Sequence, residues 1–104
     1  MLLREDSHKE ETICKLKDIP GGGMVDLLFI DGDHRYDGVR KDFEMYSPLV
    51  RKGGIIAFHD ICIGPPEAVG GVPSFWNETM GKYRNMPIIK DQSQGGCGIG
   101  ILFL

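Results

Sequence analysis

The chain has 104 residues, of which 41% are hydrophobic and 26% are charged, and its formal net charge is −3 at pH 7. This length allows a single domain over residues 1–104, with a composition typical of a globular protein that has a modest core. The acidic balance and the absence of a Lys/Arg cluster argue against a nucleic-acid-binding surface. Because no apolar run approaches the ~20 residues of a transmembrane helix, we expect no membrane partner.

The cysteines give an expectation about the compartment. Their number is odd and none lies in a Cys-x-x-Cys pair: Cys14, Cys62 and Cys97. We therefore expect reduced thiols in the cytoplasm, where they act as small core residues. The first twelve residues are mostly charged or polar, which is not the pattern of a secretory signal.

The first predicted element is a helix over about residues 8–18. Ser7 and Glu10 have the spacing of a capping box. Behind it, apolar residues recur at every third position: Ile13, Leu16 and Ile19. Pro20 and the glycines at 21–23 are expected to end this helix.

Two apolar runs, at about residues 25–30 and 54–58, are predicted to be neighbouring parallel strands. They are short, rich in β-branched and aromatic residues, and do not alternate strictly, which suits strands covered on both faces. A crossover helix is predicted between them by four apolar residues at 4-3-4 spacing: Val39, Phe43, Tyr46 and Val50. Together these elements form a βαβ unit.

The C-terminal third is predicted to contain one helix and a hairpin. After a loop over residues 63–71, Val72, Trp76 and Met80 repeat at helical spacing, and we expect Trp76 and Phe75 to be core residues. Two strand-like runs at about 86–90 and 97–104 are joined by only six residues. So short a connection predicts that they are antiparallel neighbours.

Two glycine clusters resemble phosphate-binding loops, but their context favours a structural role. The glycines at 21–23 precede a strand, whereas a phosphate loop follows a strand and opens a helix. Gly96, Gly98 and Gly100 have period two, which is typical of glycines on one face of a strand that let a neighbour approach closely. The chain has no recognisable dinucleotide-binding fingerprint.

Both predicted parallel strands end in residues that can bind a cation or move a proton. These residues are Asp31, Asp33, His34, His59 and Asp60. The carboxyl ends of adjacent parallel strands lie side by side, where open α/β sheets hold ligands. Carboxylates suit a hard divalent cation, and an imidazole shifts the preference toward Mn, Fe or Zn. A histidine that does not bind the metal can serve as a general base.

A structural interpretation of the same acids is also open. Asp-Gly is common in turns, and Asp33 and Asp37 have positions from which they could simply cap the following helix. For these two acids the capping interpretation is the favoured one. For the combined cluster we favour function, because both strands end in the same chemistry.

At these residues the chain resembles a class I S-adenosylmethionine-dependent methyltransferase. It is most similar to the small-molecule O-methyltransferase group that includes cephalosporin-hydroxylase-like and macrolide sugar methyltransferases. The matching segments are Asp6-Ser7-His8, residues 26–34, Asp42, residues 49–60, residues 71–76 and the glycine-rich last strand.

The resemblance implies a partial Rossmann-like α/β fold, mostly parallel, with an antiparallel C-terminal hairpin. It implies that Asp31, His59 and Asp60 hold a divalent metal such as Mg²⁺, although His59 replaces the usual oxygen ligand. It places His34 near the catalytic base, and Asp6 and Ser7 near the adenine of S-adenosylmethionine. The implied function is metal-assisted O-methylation of a small-molecule hydroxyl.

The resemblance covers only the C-terminal half of such a domain. The strands that carry the family's Gly-x-Gly cofactor loop have no counterpart in the 104 residues, so activity of this chain alone is left open. The alternatives are a non-catalytic binding or assembly module and a metal-dependent hydrolase that uses the same cluster. The strand at 25–30 would lack its usual neighbour, and each of its apolar side chains gains ~1.5–3 kcal/mol on burial. We therefore expect a homo-oligomer formed through this exposed central strand.

Overall fold

The computed structural model describes residues 4–18, 24–91 and 93–104. These ranges form a four-stranded sheet with helices, which confirms the predicted α/β class. The elements in chain order are α1 (Glu10–Lys17), β1 (Val25–Ile30), α2 (Tyr36–Tyr46), a 3-10 turn (Ser47–Leu49), β2 (Val50–His59), α3 (Pro66–Val69), α4 (Val72–Met80), β3 (Arg84–Ile88) and β4 (Ile99–Phe103).

The strand order in the sheet is β1-β2-β4-β3. β1 and β2 are parallel, as predicted, and Leu28 lies opposite Ile56 and Ile30 opposite Phe58. β4 pairs antiparallel with both β2 and β3, which confirms the predicted C-terminal hairpin. Within the described residues, parallel pairing is thus limited to β1 and β2, at one edge of the sheet.

The hydrophobic core lies on one face of this sheet, under α2 and α4. Ile56, Phe58 and Leu102 point into it and are completely buried. Trp76 and Phe75 of α4 are 3% and 6% exposed, so their predicted core role is confirmed. Apolar residues at i, i+3 and i+4 on each helix face this side because a helix buries one stripe.

The opposite face of the sheet is largely exposed. Leu27 and Phe29 of β1 are 59% and 49% exposed, and Met86 and Ile88 of β3 are 51% and 50% exposed. The prediction that both faces of β1 are covered is therefore wrong within the described residues. One face of β1 reaches the core through Leu28 and Ile30, and the other does not.

The start of α1 differs from the predicted capping box. The N-cap residue is Lys9, without a side-chain cap, and the hydroxyl of Ser7 donates instead to Asp42 Oδ1 at 2.7 Å. A long-range acceptor thus competes successfully with the helix N-terminus for this hydroxyl. The predicted helix end at Ile19, Pro20 and the glycines 21–23 lies outside the described residues.

Other details of the predictions are corrected as well. Of the cysteines, only Cys62 is buried, while Cys14 and Cys97 are exposed and have no core role. The predicted loop over 63–71 contains the single turn α3. Gly100 lies in β4, but Gly96 and Gly98 precede that strand and have positive φ angles of 117° and 83°. They are turn residues, because left-handed backbone of this kind favours glycine.

Candidate metal and cofactor site

Four side chains converge at the carboxyl ends of β1 and β2. Asp31 follows β1, His59 ends β2, Asp60 follows it, and His34 lies in the turn before α2. One ligand atom from each of the four lies within 4.8 Å of the others. The predicted parallel pairing brings them together, because parallel neighbours end at the same edge of the sheet.

Asp60 is the central member of this cluster. Its Oδ2 lies 2.8 Å from His34 Nε2 and 3.1 Å from His59 Nδ1. Asp31 Oδ1 is 3.3 Å from the same His59 nitrogen and 3.5 Å from the same His34 nitrogen. The Asp60 side chain is 13% exposed and that of Asp31 is 44% exposed, so the cluster opens to solvent on the Asp31 side.

The backbone holds the Asp60 carboxylate in place. Asp60 has φ +64°, a left-handed conformation in which non-glycine residues are uncommon and Asp is enriched. Its N–H donates to Gly98 O at 3.0 Å, and its Oδ1 accepts the N–H of Cys97 at 3.1 Å. One carboxylate oxygen is thus used for structure, and Oδ2 remains directed at the histidines.

His34 is held by the loop that follows β2. Its carbonyl oxygen accepts the N–H of Gly71 at 2.7 Å. A Cβ at Gly70 would lie 2.2 Å from that oxygen, so this close approach requires glycine. Sequence reasoning assigned no role to these two glycines. The adjacent glycines Gly70 and Gly71, in a segment predicted to lie over the strand ends, could have indicated a close backbone contact there.

The donors present fit a divalent cation. His34 Nε2 is buried and has no hydrogen-bond partner within the described residues, although two carboxylates lie near it. A buried polar atom in that state normally marks a functional group or an unseen ion. Two imidazoles and two carboxylates form a ligand set that suits transition ions such as Zn²⁺, Mn²⁺ or Fe²⁺.

Asp33 does not join the cluster, which corrects the prediction that five groups share the crevice. Its carboxylate accepts the backbone N–H of Arg35 at 3.0 Å and the Nη2 hydrogen at 2.6 Å. These hydrogen bonds from Arg35 lower the pKa of Asp33 to about 2. The predicted helix cap is wrong, because the N-cap of α2 is Arg35 and no side chain caps it. Asp33 instead has a structural role in the turn through its hydrogen bonds with Arg35.

Of the two residues predicted to contact the cofactor, Ser7 lines a groove and Asp6 does not. Ser7 lines a groove of about 420 Å³ at the outer edge of β1, together with Phe29, Asp31 and Tyr46. Asp6 is not among the groove residues, because its Oδ1 accepts the N–H of His8 and its carbonyl accepts the Thr12 hydroxyl.

Asp42 also lines this groove and holds Ser7 in place. The sequence analysis named Asp42 only as a residue that matches the family and predicted no function for it. Asp42 is 6% exposed and accepts the Ser7 hydroxyl, while Tyr46 donates to the Ser7 carbonyl at 2.6 Å. Burial, Asp42 and Asp6 together raise the pKa of Tyr46. The sequence could have indicated this role, because Asp42 is an acid on the buried side of α2, beside Val39 and Tyr46.

None of the helices in the described ranges is long and apolar enough to cross a membrane.

Comparisons with known proteins agree with this fold. Residues 2–61 match the family described as a methyltransferase domain, and this match covers more than half of the chain. An uncharacterised protein of Acanthamoeba polyphaga mimivirus is 43% identical over 58 residues, or 56% of this chain. An uncharacterised protein of Sinorhizobium fredii is 34% identical over 68 residues, or 65% of this chain.

A solved structure shows the same fold. The O-methyltransferase TomG from Streptomyces achromogenes, involved in tomaymycin synthesis and solved in complex with S-adenosylmethionine, aligns over 90% of this chain. Its TM-score is 0.60 and its sequence identity 19%. The chain spans 45% of TomG and only 25% and 7% of the two sequence relatives. Because the methyltransferase-domain family matches more than half of its length, the chain belongs to that methyltransferase family.

Proposed function

We propose that this chain takes part in methyl transfer from S-adenosylmethionine to a hydroxyl of a small molecule, assisted by a divalent metal. The observation that carries the proposal is the convergence of Asp31, His34, His59 and Asp60 within 4.8 Å. Membership of the methyltransferase family supplies the reaction class. The O-methyltransferase TomG, which shares the fold, supports a hydroxyl as acceptor.

The metal would be held by Asp31, His59 and Asp60. When bound, it supplies a positive charge that lowers the pKa of a coordinated hydroxyl and fixes its direction. The Oδ1 hydrogen bond from Cys97 keeps the Asp60 carboxylate oriented, so that Oδ2 faces the site. Ligands fixed in this way bind without the cost of ordering them first.

His34 would accept the proton of the substrate hydroxyl. S-adenosylmethionine supplies a methyl group on a sulfonium, and the hydroxyl oxygen forms the new C–O bond as the C–S bond breaks. His34 Nε2 is buried beside Asp60 Oδ2, at 2.8 Å, and makes no hydrogen bond of regular geometry in the described chain.

The groove at the edge of β1 is the proposed place for the cofactor. Its volume of about 420 Å³ lies in the range of small-molecule pockets, and apolar side chains such as Leu16 and Phe29 line it. Ser7 contributes a hydroxyl to the groove, and Asp31 belongs to both the groove and the metal cluster. Asp6 contributes by fixing the turn before α1.

Calorimetric titration tests the proposal. We expect S-adenosylmethionine to bind the chain, and the presence of Mg²⁺ or Mn²⁺ to change binding of a hydroxyl-bearing acceptor. Metal binding without cofactor binding would contradict methyl transfer by this chain and favour the binding module or the hydrolase. A panel of phosphoesters would then separate those two.

A matched pair of variants tests the metal site itself. Asp31→Asn and Asp33→Asn make the same change two residues apart, inside and outside the cluster. We expect Asp31→Asn to weaken metal binding by about tenfold or more, since loss of even an outer-sphere partner costs ~10–100-fold. Asp33→Asn should leave the metal affinity nearly unchanged. Equal effects of both variants would exclude Asp31 as a ligand.

A further inference from the structure

The end of the sheet remote from the acid and histidine cluster contains a groove of about 550 Å³, here called the end groove. Its less exposed lining is mainly apolar or aromatic, with Val50 at the start of β2, Phe103 at the end of β4 and Tyr83 after α4. The strand β2 begins at this groove and ends at His59 of the cluster. At ~3.3 Å per residue the two ends of this strand lie roughly 25–30 Å apart, so the end groove is a separate site.

Three cations also line the end groove. Lys52, Lys82 and Arg84 are exposed, and no acidic side chain accompanies them among the lining residues. The guanidinium of Arg84 lies 4.9 Å from the centre of the Phe103 ring, which holds this charge beside the apolar lining. The ion pairs that the described lysines and arginines form belong to other residues: Lys15, Arg35, Arg40 and Arg51.

The acids of the neighbouring groove between α2 and α4 do not neutralise these cations. Lys82 lines that groove as well, together with Glu44 and Glu78. However, Glu44 accepts a hydrogen bond from Arg40 at 2.8 Å, and Glu78 accepts the hydroxyl of Tyr36. The positive charge of the end groove is therefore unpaired within the described chain, although the formal net charge of the whole chain is −3.

The lining favours carboxylates carried on an apolar segment over a phosphate group. Phosphate sites commonly hold the anion with free backbone N–H groups. Here the N–H of Gly53 donates to Leu104 O at 2.9 Å, and the N–H of Leu104 donates to Gly54 O at 3.1 Å. An apolar centre with charged groups at its margin is instead typical of a protein–protein contact.

We propose that the end groove binds an acidic segment of a partner protein. Apolar side chains of that segment would contact Val50 and Phe103, and its carboxylates would pair with the three cations. Opposite charges steer the encounter and fix the register, whereas exposed ion pairs by themselves add little affinity. Both kinds of side chain are therefore required in the partner. The groove contains no residue of the cluster, so this role does not depend on the proposed methyl transfer.

Fluorescence anisotropy on the intact chain tests the proposal with a labelled peptide in which Glu alternates with Leu and Phe. We expect a dissociation constant of about 100 μM or tighter, as for a small transient interface. Binding should weaken as salt rises, because exposed charges are screened. Two control peptides carry either Gln in place of Glu or Ser in place of Leu and Phe, and each should bind about tenfold more weakly or worse.

Charge-reversal variants locate the bound peptide. Lys82→Glu and Arg84→Glu should each weaken binding about tenfold, because each replaces an attractive charge by a like charge. Lys90→Glu is the matched control, since Lys90 is exposed, lies beyond the other end of β3 and makes the same change in net charge. Circular dichroism checks that each variant keeps its fold.

The pattern across peptides and variants decides the outcome. Weakening by both groove variants, with no effect of Lys90→Glu, supports the proposal. Absence of binding, equal weakening by all three variants, or equal binding of the peptide that carries Ser would overturn it. Preference for inorganic tripolyphosphate or a single-stranded DNA oligonucleotide over the acidic peptide would overturn it as well, because the groove would then be a phosphate site.

Discussion

Residues only two positions apart in this chain have different roles. Asp31 and Asp33 have the same side chain and flank one glycine, yet only Asp31 contributes to the cluster. Arg35 provides three hydrogen bonds from its side chain to Asp33, and its backbone provides a fourth. A carboxylate held by a cation and a backbone N–H is already satisfied, so it gains little by turning toward the site.

The imidazole of His59 is expected to set the metal preference. We predict that Co²⁺ and Mn²⁺ bind the unaltered chain more tightly than Mg²⁺, because imidazole is a better ligand for transition ions. Glu in place of His59 supplies oxygen instead, so His59→Glu should reduce this ratio by roughly tenfold.

Calorimetry with each ion measures the ratio, and the visible absorption of bound Co²⁺ reports its ligand set. Asp33→Asn, which alters an acid outside the cluster, should leave the ratio as it is. If the unaltered chain already prefers Mg²⁺, then His59 is not a metal ligand.

At the scale of elements, close packing of α4 on β4 fixes one end of the core. A Cβ at Gly100 would lie 2.6 Å from the ring of Trp76, a distance at which something must shift. Trp76 in turn packs near Phe58 of β2, with ring centroids 6.0 Å apart. The sequence pattern of alternate glycines predicted such a close approach, and Gly100 confirms it.

Gly100→Ala is therefore expected to destabilise the protein by about 1–3 kcal/mol, the usual cost of overpacking a core. Gly81→Ala is the matched control, because nothing lies within 4 Å of its added Cβ and its φ of −67° suits alanine. That change should be neutral or stabilise by ~0.4–1 kcal/mol. Urea unfolding measures both, and equal stabilities of the two variants would contradict the packing argument.

Most elements were predictable because their signals are local. The 3.6-residue repeat located α2 and α4, and the apolar runs located β1 and β2. The bounds of β3 and the start of β4 differ from the prediction by two residues. At β4 the reason is that turn glycines and strand glycines look alike in the sequence. The prediction that Ser7 caps α1 is wrong for a different reason, because the Ser7 hydroxyl donates to Asp42, 35 residues away.

At the scale of the whole molecule, the two faces of the sheet differ in kind. The face under the helices contains completely buried side chains, whereas on the opposite face Leu27, Phe29, Met86 and Ile88 are about half exposed. If a second copy pairs with β1, as the sequence predicts, folding and association are linked, and stability depends on protein concentration.

We accordingly predict that the melting temperature rises with concentration. A hundredfold increase in protein should raise Tm by roughly 5–10 °C for a dimer of this chain length. Leu27→Glu on β1 should remove most of this dependence. Ile63→Glu should keep it, because Ile63 is 76% exposed and lies outside the sheet. Differential scanning calorimetry at several concentrations is the measurement, and a constant Tm for the unaltered chain would contradict linked association.

The sequence by itself determined that two apolar runs are strands and that both end in acids and histidines. Those signals are properties of neighbouring residues, and parallel pairing then follows from the length of the crossover. The tertiary structure decided that His34 enters the cluster while Asp33 leaves it, since the choice depends on Arg35, Gly70 and Gly71. It also decided which face of the sheet is open, because covering a face depends on where helices dock, and no residue pattern within a strand encodes that.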